Sequence, residues 1–447
     1  MSEFLDVFRK NLKVADYAFS QGEKEKYLKA MEVTSQMLAH LVKHNKIEAA
    51  LSLEIKWYLS VKLIENEDHY FNCFKNHAQA FWQAGKKLSP GPVKKGDGDR
   101  IAFVVQNSVL LGHTEVMLSV MKNWREKYPK LEILFVGLTP CQRNLASRLS
   151  ELNVEIVTPT NDNFEIISRI RWLRDVLTSR QVGTAVWVSV PVWIPYIFGY
   201  GICERQVFWA LKFHPCHMGD EVLHIGMTKK PFGEETINGK PWKAFQPPLA
   251  IVVRQNNLNE IEKFREQFQS TFLFGTLARE EKFNSERFAQ TVANILLKCP
   301  QAIYVYTGKK ISSIFLNILK KNNVEKQAKF IGWVDTDIVS NSIDCFLESF
   351  PFGCGVTGMQ ALSHGTRLIS LWESDTLPTY YFQNLTESYK YTPTWQVKIT
   401  EIEYINAAVN CYKEKNEKNN RIEKQIIDVA SLDEAKYEQL HSLIFEK

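Results

Sequence analysis

The sequence predicts two α/β halves with parallel sheets, preceded by an all-helical segment, and three observations predict this. From about residue 100 to residue 371, short apolar runs alternate with helix-length amphipathic stretches, the pattern of parallel strands covered by helices on both faces. Residues 1 to about 90 contain no proline before Pro90 and repeat apolar residues at three and four positions, which is the helical period. At 447 residues, 45% hydrophobic and 23% charged, the chain is globular in composition and too long for one ordinary core.

Taken in order, the first segment (1–95) shows the helical stripe in Leu28, Met31, Val33, Met37, Leu38 and Leu41, continued by Leu51, Ile55, Tyr58, Leu59 and Leu63. It carries no tetratricopeptide-type repeat pattern. The stretch LSPGPVKKGDGDR (88–100) concentrates proline, glycine and charge and reads as a linker. The second segment (96–250) begins with IAFVVQ (101–106), a candidate buried strand. Then come a helix from Glu115 to Lys127 and strands at LEILFVGL (131–138), VEIVTP (154–159) and TAVWVSV (184–190). The third segment (251–447) repeats the logic. STFLFGT (270–276), AIYVYTG (302–308), AKFIGWV (328–334), CFLESF (345–350) and TRLISL (366–371) are strands. Helices fall at Ser285–Lys298, at Ile311–Asn322 and from about residue 358, and a charged helical tail starts near Asn406. In such open sheets ligands bind beyond the carboxyl ends of the strands.

A formal net charge of +5, with Lys and Arg scattered among acids, argues against nucleic acid as a partner. The eight cysteines form no CxxC pair; reduced thiols and a cytoplasmic location are expected. The N-terminus MSEFLDVFRKN has no apolar signal core. The most apolar stretch, Val186 to Ile202, contains Pro191, Pro195 and two glycines and is too short and broken for a membrane span; a buried strand and loop fit it. Cys203, His214, Cys216 and His217 do not have zinc-ligand spacing, so no metal is expected.

Two segments carry the chemistry. In LESFPFGCGVTGMQALSHGTRLISL (347–371) a strand ends, a loop holds Gly353, Gly355 and Gly358, and a helix opens. Glycines let backbone N–H groups approach a ligand closely, and a helix start adds positive potential. Together they suit an anion such as a diphosphate, with Thr357 adding a hydroxyl; a plain βα turn without a ligand fits the same residues. In FGTLAREEKFNSERF (274–288) a strand ends at Thr276, and Lys282 sits just before a helix capped by Asn284 or Ser285. A lysine there is either a point charge for that anion or an ordinary surface lysine. NSVLLGHTEVML (107–118) sets His113 on a loop, with Thr114 as helix cap; His113 either serves proton transfer or only makes hydrogen bonds. In KFHPCHMGDE (212–221), Asp220 and Glu221 are candidate acceptor-side acids, and a solvated loop is the other reading.

These segments resemble the family of the nucleocytoplasmic O-linked N-acetylglucosamine transferases and the bacterial cytoplasmic protein N-glucosyltransferases. The likeness lies in VTGMQALSHGT (356–366), FPFG (350–353), KFN (282–284) with KCPQAIYVY (298–306), and LGHT (111–114), and spans about residues 100 to 390. FPFG leans to the bacterial branch, Thr357-Gly358-Met359 to the eukaryotic one. The resemblance implies the GT-B fold, two Rossmann-like domains facing a cleft. It implies inverting, metal-independent transfer of glucose or N-acetylglucosamine from a UDP-sugar to a protein side chain, with no cofactor. Lys282, together with Gly355, Val356, Thr357 and Gly358, would hold the donor diphosphate, and Glu348 falls near the family's strand-end acid. Gln360 stands where the family usually has a ribose-binding Asp, a departure that bears on nucleotide affinity. No match appears for the family's base-contacting histidine near Thr336, although Trp333 offers a stacking surface. His113 and His214 match cleft positions. Two other functions stay open. One is a retaining transferase acting on lipid or polysaccharide, whose paired glutamates would fall at Phe352 and Gln360. The other is a non-catalytic partner subunit.

Overall fold

The fold is given by a computed structural model. It describes all residues except 1, 21–22, 62–66, 161–164, 189, 191, 212–218, 220, 227–232, 238–239, 246, 249–257, 269–271, 284, 351–352, 354–355, 372–394, 399, 419–428 and 447. The chain forms two compact units, residues 1–248 with 435–447, and residues 249–434.

The first unit opens with four helices, α1 (Ser2–Ser20), α2 (Lys24–Lys43), α3 (Ile47–Leu59) and α4 (Glu67–Leu88). Strands and helices then alternate: β1 (Asp97–Val105), α5 (Gly112–Lys127), β2 (Glu132–Gly137), α6 (Arg143–Glu151), β3 (Glu155–Val157), α7 (Ile166–Ser179), β4 (Val182–Val188), α8 (Ile194–Tyr200) and β5 (Arg205–Ala210). The strands β6 (Val222–Gly226), β7 (Glu234–Ile237) and β8 (Lys240–Ala244) complete the sheet, whose order is β3-β2-β1-β4-β5-β6-β8-β7. Every pairing is parallel except β7 with β8. Ile101 to Val105 and all of β4 are buried, as expected of strands covered on both faces. The apolar stretch from Val186 is not strand and loop alone. It turns at Trp193, whose φ of 66° is left-handed, and continues as α8, buried throughout.

The helical segment is bolted to this sheet. A Cβ on Gly85 of α4 would run into the Tyr196 carbonyl of α8, and one on Gly199 of α8 into the Trp82 carbonyl, so the two backbones cross in contact. The Pro/Gly linker is not a free joint. Arg174 donates to the carbonyls of Gly91 (2.8 Å), Pro92 (3.1 Å), Tyr200 (3.1 Å) and Gly201 (2.9 Å). On α3, the Glu54 carboxyl accepts the Trp193 N–H at 3.0 Å, and its other oxygen lies 3.7 Å from His77 Nε2 on α4.

The second unit contains α9 (Leu258–Glu266), β9 (Phe272–Thr276), α10 (Glu286–Lys298), β10 (Ala302–Tyr306), α11 (Ser313–Lys321), β11 (Ala328–Phe330) and α12 (Thr336–Ser342). After these come β12 (Cys345–Leu347), α13 (Val356–Ser363), β13 (Arg367–Leu371), β14 (Trp395–Lys398) and α14 (Glu401–Lys418). Its sheet, all parallel, has the order β11-β10-β9-β12-β13-β14. The last helix, α15 (Val429–Phe445), ends in the first unit from residue 435 onward, although by sequence the tail goes with the second half. There Trp124 Nε1 donates to the Tyr437 carbonyl at 3.0 Å, and His441 stacks on Tyr128. Among the described residues no helix is long and apolar enough to cross a membrane, and the described cysteines are free thiols.

Candidate active site

The order of the second sheet reverses between β9 and β12, which makes that pair its topological switch point, where open α/β sheets bind ligands. Both chemistry-bearing segments leave the sheet there. The chain after β9 makes one tight turn of 3₁₀ helix, Glu280–Phe283, holding Lys282, and Ser285 caps α10 by accepting the Phe288 N–H at 3.2 Å. The chain after β12 runs through Glu348 to Gly353 and enters α13 at Val356.

Side chains lock the two segments together. Lys282 Nζ donates to the Gly353 carbonyl. Thr357 Oγ1 donates to the Leu277 carbonyl at 2.6 Å, and Thr276 Oγ1 to the Leu347 carbonyl at 2.5 Å. The ammonium group, Gly353 and the first N–H groups of α13, which have no partner within the helix, therefore share one location. Thr276 is fully buried and ties β9 to β12 beneath the site. The Thr357 hydroxyl donates to the Leu277 carbonyl, at the turn where α13 opens with its backbone amides.

Gln360 is also held inside. It is 8% exposed, and its Nε2 donates to Asp337 Oδ1 at 3.3 Å. The same oxygen lies 2.7 Å from His364 Nε2. A carboxylate thus stands beside the position where the resemblance expects one, supplied by α12. Trp333, between β11 and α12, is 61% exposed and presents its indole to solvent. Facing β9, the loop after β10 carries Lys309 and Lys310. Burial raises the Glu280 pKa, but the Lys309 N–H at 3.0 Å and the two ammonium groups outweigh it and hold that carboxyl below the ordinary glutamate value.

The strand end is buttressed from α14. Tyr404 donates its hydroxyl to the Glu348 carbonyl at 2.9 Å, and its ring packs edge-on against Phe350. Phe350 also meets Phe288 and lies under the Arg287 guanidinium, which Glu401 holds at 2.7 Å. Sequence reasoning assigned no role to Asp337, His364 or Tyr404: Asp337 and Tyr404 belong to no local motif, and His364 sits inside the 356–366 motif without marking a site by its spacing. The helix α12, which Asp335 caps by accepting the Asp337 N–H at 3.0 Å, was not read from the sequence.

In the first unit the switch point lies between β1 and β4. His113 follows β1 as the second residue of α5, half-buried. Thr114 is not the N-cap. That position is Leu111, whose N–H donates to Thr114 Oγ1 at 2.7 Å from within the first turn. His214, Asp220 and Gly355, and the Cys216 and His217 considered for zinc, lie outside the described residues. Among the described residues no group of three or more metal-ligating side chains occurs.

No protein-family model and no curated protein sequence matches the chain. Solved structures do. A mutant of the Thermobaculum terrenum O-GlcNAc transferase superposes with a TM-score of 0.54 at 12% identity, covering 100% of this chain and 95% of that one. Anabaena HepE, solved with UDP and glucose, gives a TM-score of 0.54 at 13% identity, covering 77% of this chain and 99% of that one. The fold is GT-B. In GT-B terms, Lys282, Gly353 and α13 belong to the C-terminal Rossmann-like sheet and His113 to the N-terminal one.

Proposed function

We propose that the protein is a UDP-sugar-dependent glycosyltransferase that moves glucose or N-acetylglucosamine to a protein side chain with inversion. The observation that carries this reading is the convergence of Lys282, Gly353 and the start of α13 at the β9–β12 switch point. Sugar transfer expels a nucleoside diphosphate, so negative charge grows on its β-phosphate as the glycosidic bond breaks. A fixed ammonium group and helix-start amides stabilise that charge more in the transition state than in the ground state. The reading gives this neutralising role to Lys282 and the loop amides and calls for no metal or cofactor. Trp333 provides a face for the base, and His113 is the candidate for positioning or deprotonating the acceptor. The similarity to a structure holding UDP and glucose supports the donor class. The protein acceptor, the inverting course and a cytoplasmic place of action rest on the resemblance of the motifs.

The non-catalytic alternative draws on one observation, the engagement of Gln360 by Asp337. Calorimetry with UDP separates the two readings, because a partner subunit that has lost its donor site binds none. Release of UDP from UDP-glucose or UDP-N-acetylglucosamine with candidate acceptor proteins then tests transfer directly. No UDP binding at millimolar concentration overturns the proposal.

A further inference from the structure

Helices α2 and α4, with the turn from α2 to α3, enclose a groove of about 770 Å³ on the helical segment. Ala39 of α2 and Ala80 and Ala84 of α4 line it, and such short side chains leave room for a main chain between the two helices. Among the described residues, every ionisable side chain in its lining is a base: His40 and Lys43 from α2 and Lys87 from α4.

The fold leaves these groups uncompensated. Lys43 and Lys87 are exposed and make no ion pair or hydrogen bond among the described residues. Lys86, the neighbour of Lys87 but outside the groove, pairs with Glu221 at 2.6 Å. The side-chain amides of Asn45, Asn76, Gln79 and Gln83 likewise have no partner among the described residues; of the lining amides only Gln36 is engaged, donating to Glu32 at 3.4 Å. Both lysines lie in the last turn of their helix, where a cation favours the dipole, but that role calls for neither a groove nor a row of unpaired amides.

An amide side chain offers both donors and an acceptor, the complement of a peptide main chain, and unpaired ammonium groups beside it attract carboxylates. We propose that the α2–α4 groove is a docking surface for an acidic peptide segment of a partner protein, whose carboxylates reach Lys43 and Lys87 while its main chain meets the amides. A nucleic acid fits the same charge less well. Single strands are held by stacking bases on aromatic rings, and the ring in the lining, His40, already lies against Phe4 and His44.

The test follows the fluorescence anisotropy of a labelled octaglutamate peptide titrated with the intact protein at low salt. Saturable binding that weakens as salt rises is expected, and Lys43→Gln combined with Lys87→Gln should weaken it about tenfold or more. A urea melt checks that this variant is folded. Lys56→Gln with Lys75→Gln removes the same charge from exposed positions of α3 and α4 outside the groove and should change binding by no more than about twofold. Equal losses from the two double variants would mean diffuse attraction to the whole segment and would overturn the proposal. So would the absence of peptide binding, or an oligothymidylate that binds more tightly than the peptide and is lost with Lys43 and Lys87.

Discussion

Lys282 reaches across the switch point of the second sheet and donates to the Gly353 carbonyl, so the ammonium group is built into the glycine turn. Replacing it removes the ammonium group that bonds Gly353. We predict that Lys282→Ala lowers the rate of UDP release by about 10²- to 10³-fold, the usual cost of losing a preorganised group at a developing anion. Global stability should change little, because the lysine is only half-buried. Turnover measured with UDP-glucose and UDP-N-acetylglucosamine, beside a urea melt, checks both parts. A full-rate variant would remove Lys282 from the mechanism.

Gln360 invites the opposite experiment, restoring the acid found in the similar family. The structure predicts that Gln360→Asp harms the protein. Asp337 Oδ1 now accepts from both Gln360 Nε2 and His364 Nε2, and a second carboxylate would replace a donor with a like charge in a buried place. A loss of about 1–3 kcal/mol is expected, with UDP affinity unchanged or weaker. A variant that melts higher and binds UDP more tightly would show that Gln360 is a weakened ribose ligand and not a partner of Asp337.

Local pattern carried much of this fold. Both sheets were legible because their central strands carry short apolar runs, as in Ile101–Val105 and Phe272–Phe274, and because Ser285 and the glycines mark where helices begin. The cross-links at the site were not. Thr357 with Leu277, Lys282 with Gly353 and Tyr404 with Glu348 join residues more than fifty positions apart, and no periodicity encodes such pairs. Polar strands were also missed: β7 and β8, EETI and KPWKA, lack the apolar run that reveals a buried strand. The return of the last helix to the first unit rests on Trp124, Tyr128 and His441, which look like ordinary aromatic residues in a list of letters.

The crossing of α4 and α8 gives a sharp test of how the helical segment is attached. An exposed helix gains about 1 kcal/mol when Gly becomes Ala. At Gly85 and Gly199 the added methyl would instead meet backbone, the carbonyls of Tyr196 and Trp82, which cannot swing aside as a side chain can. Overpacking of this kind costs about 1–3 kcal/mol, enough to reverse the helix gain. Gly85→Ala and Gly199→Ala should each lower the urea midpoint, whereas Gly112→Ala, with open space around it, should not. Equal midpoints for all three would show that the helices separate readily.

The buried Glu54–His77 pair makes stability depend on pH in a defined sense. Ser35 Oγ donates to the Cys73 carbonyl, so His77 Nδ1 must be the donor in its 2.8 Å contact with Ser35. His77 Nε2 is then bare and faces Glu54 Oε1, and neither atom has another partner. A neutral imidazole beside a protonated carboxyl satisfies this arrangement. Burial accounts for both protonation states, pushing Glu54 up to about 8 and His77 down to about 3. Between the ordinary glutamate value and about 8 the folded state binds the extra Glu54 proton, so stability falls as pH rises. Between about 3 and the ordinary histidine value the unfolded state binds the extra His77 proton, so stability falls as pH drops. The two slopes oppose each other in the mildly acidic range and leave a plateau there. Above it, from near neutrality to about pH 8, the Glu54 slope of about 1 kcal/mol per pH unit stands alone. Glu54→Gln keeps the acceptor for Trp193 and supplies a permanent donor to His77, so it should flatten that alkaline limb and, with the opposing slope gone, turn the mildly acidic plateau into a fall in stability as pH drops below the ordinary histidine value. Urea melts of both proteins from pH 5 to pH 9 measure it, and parallel curves would mean that Glu54 is ionised in the folded protein.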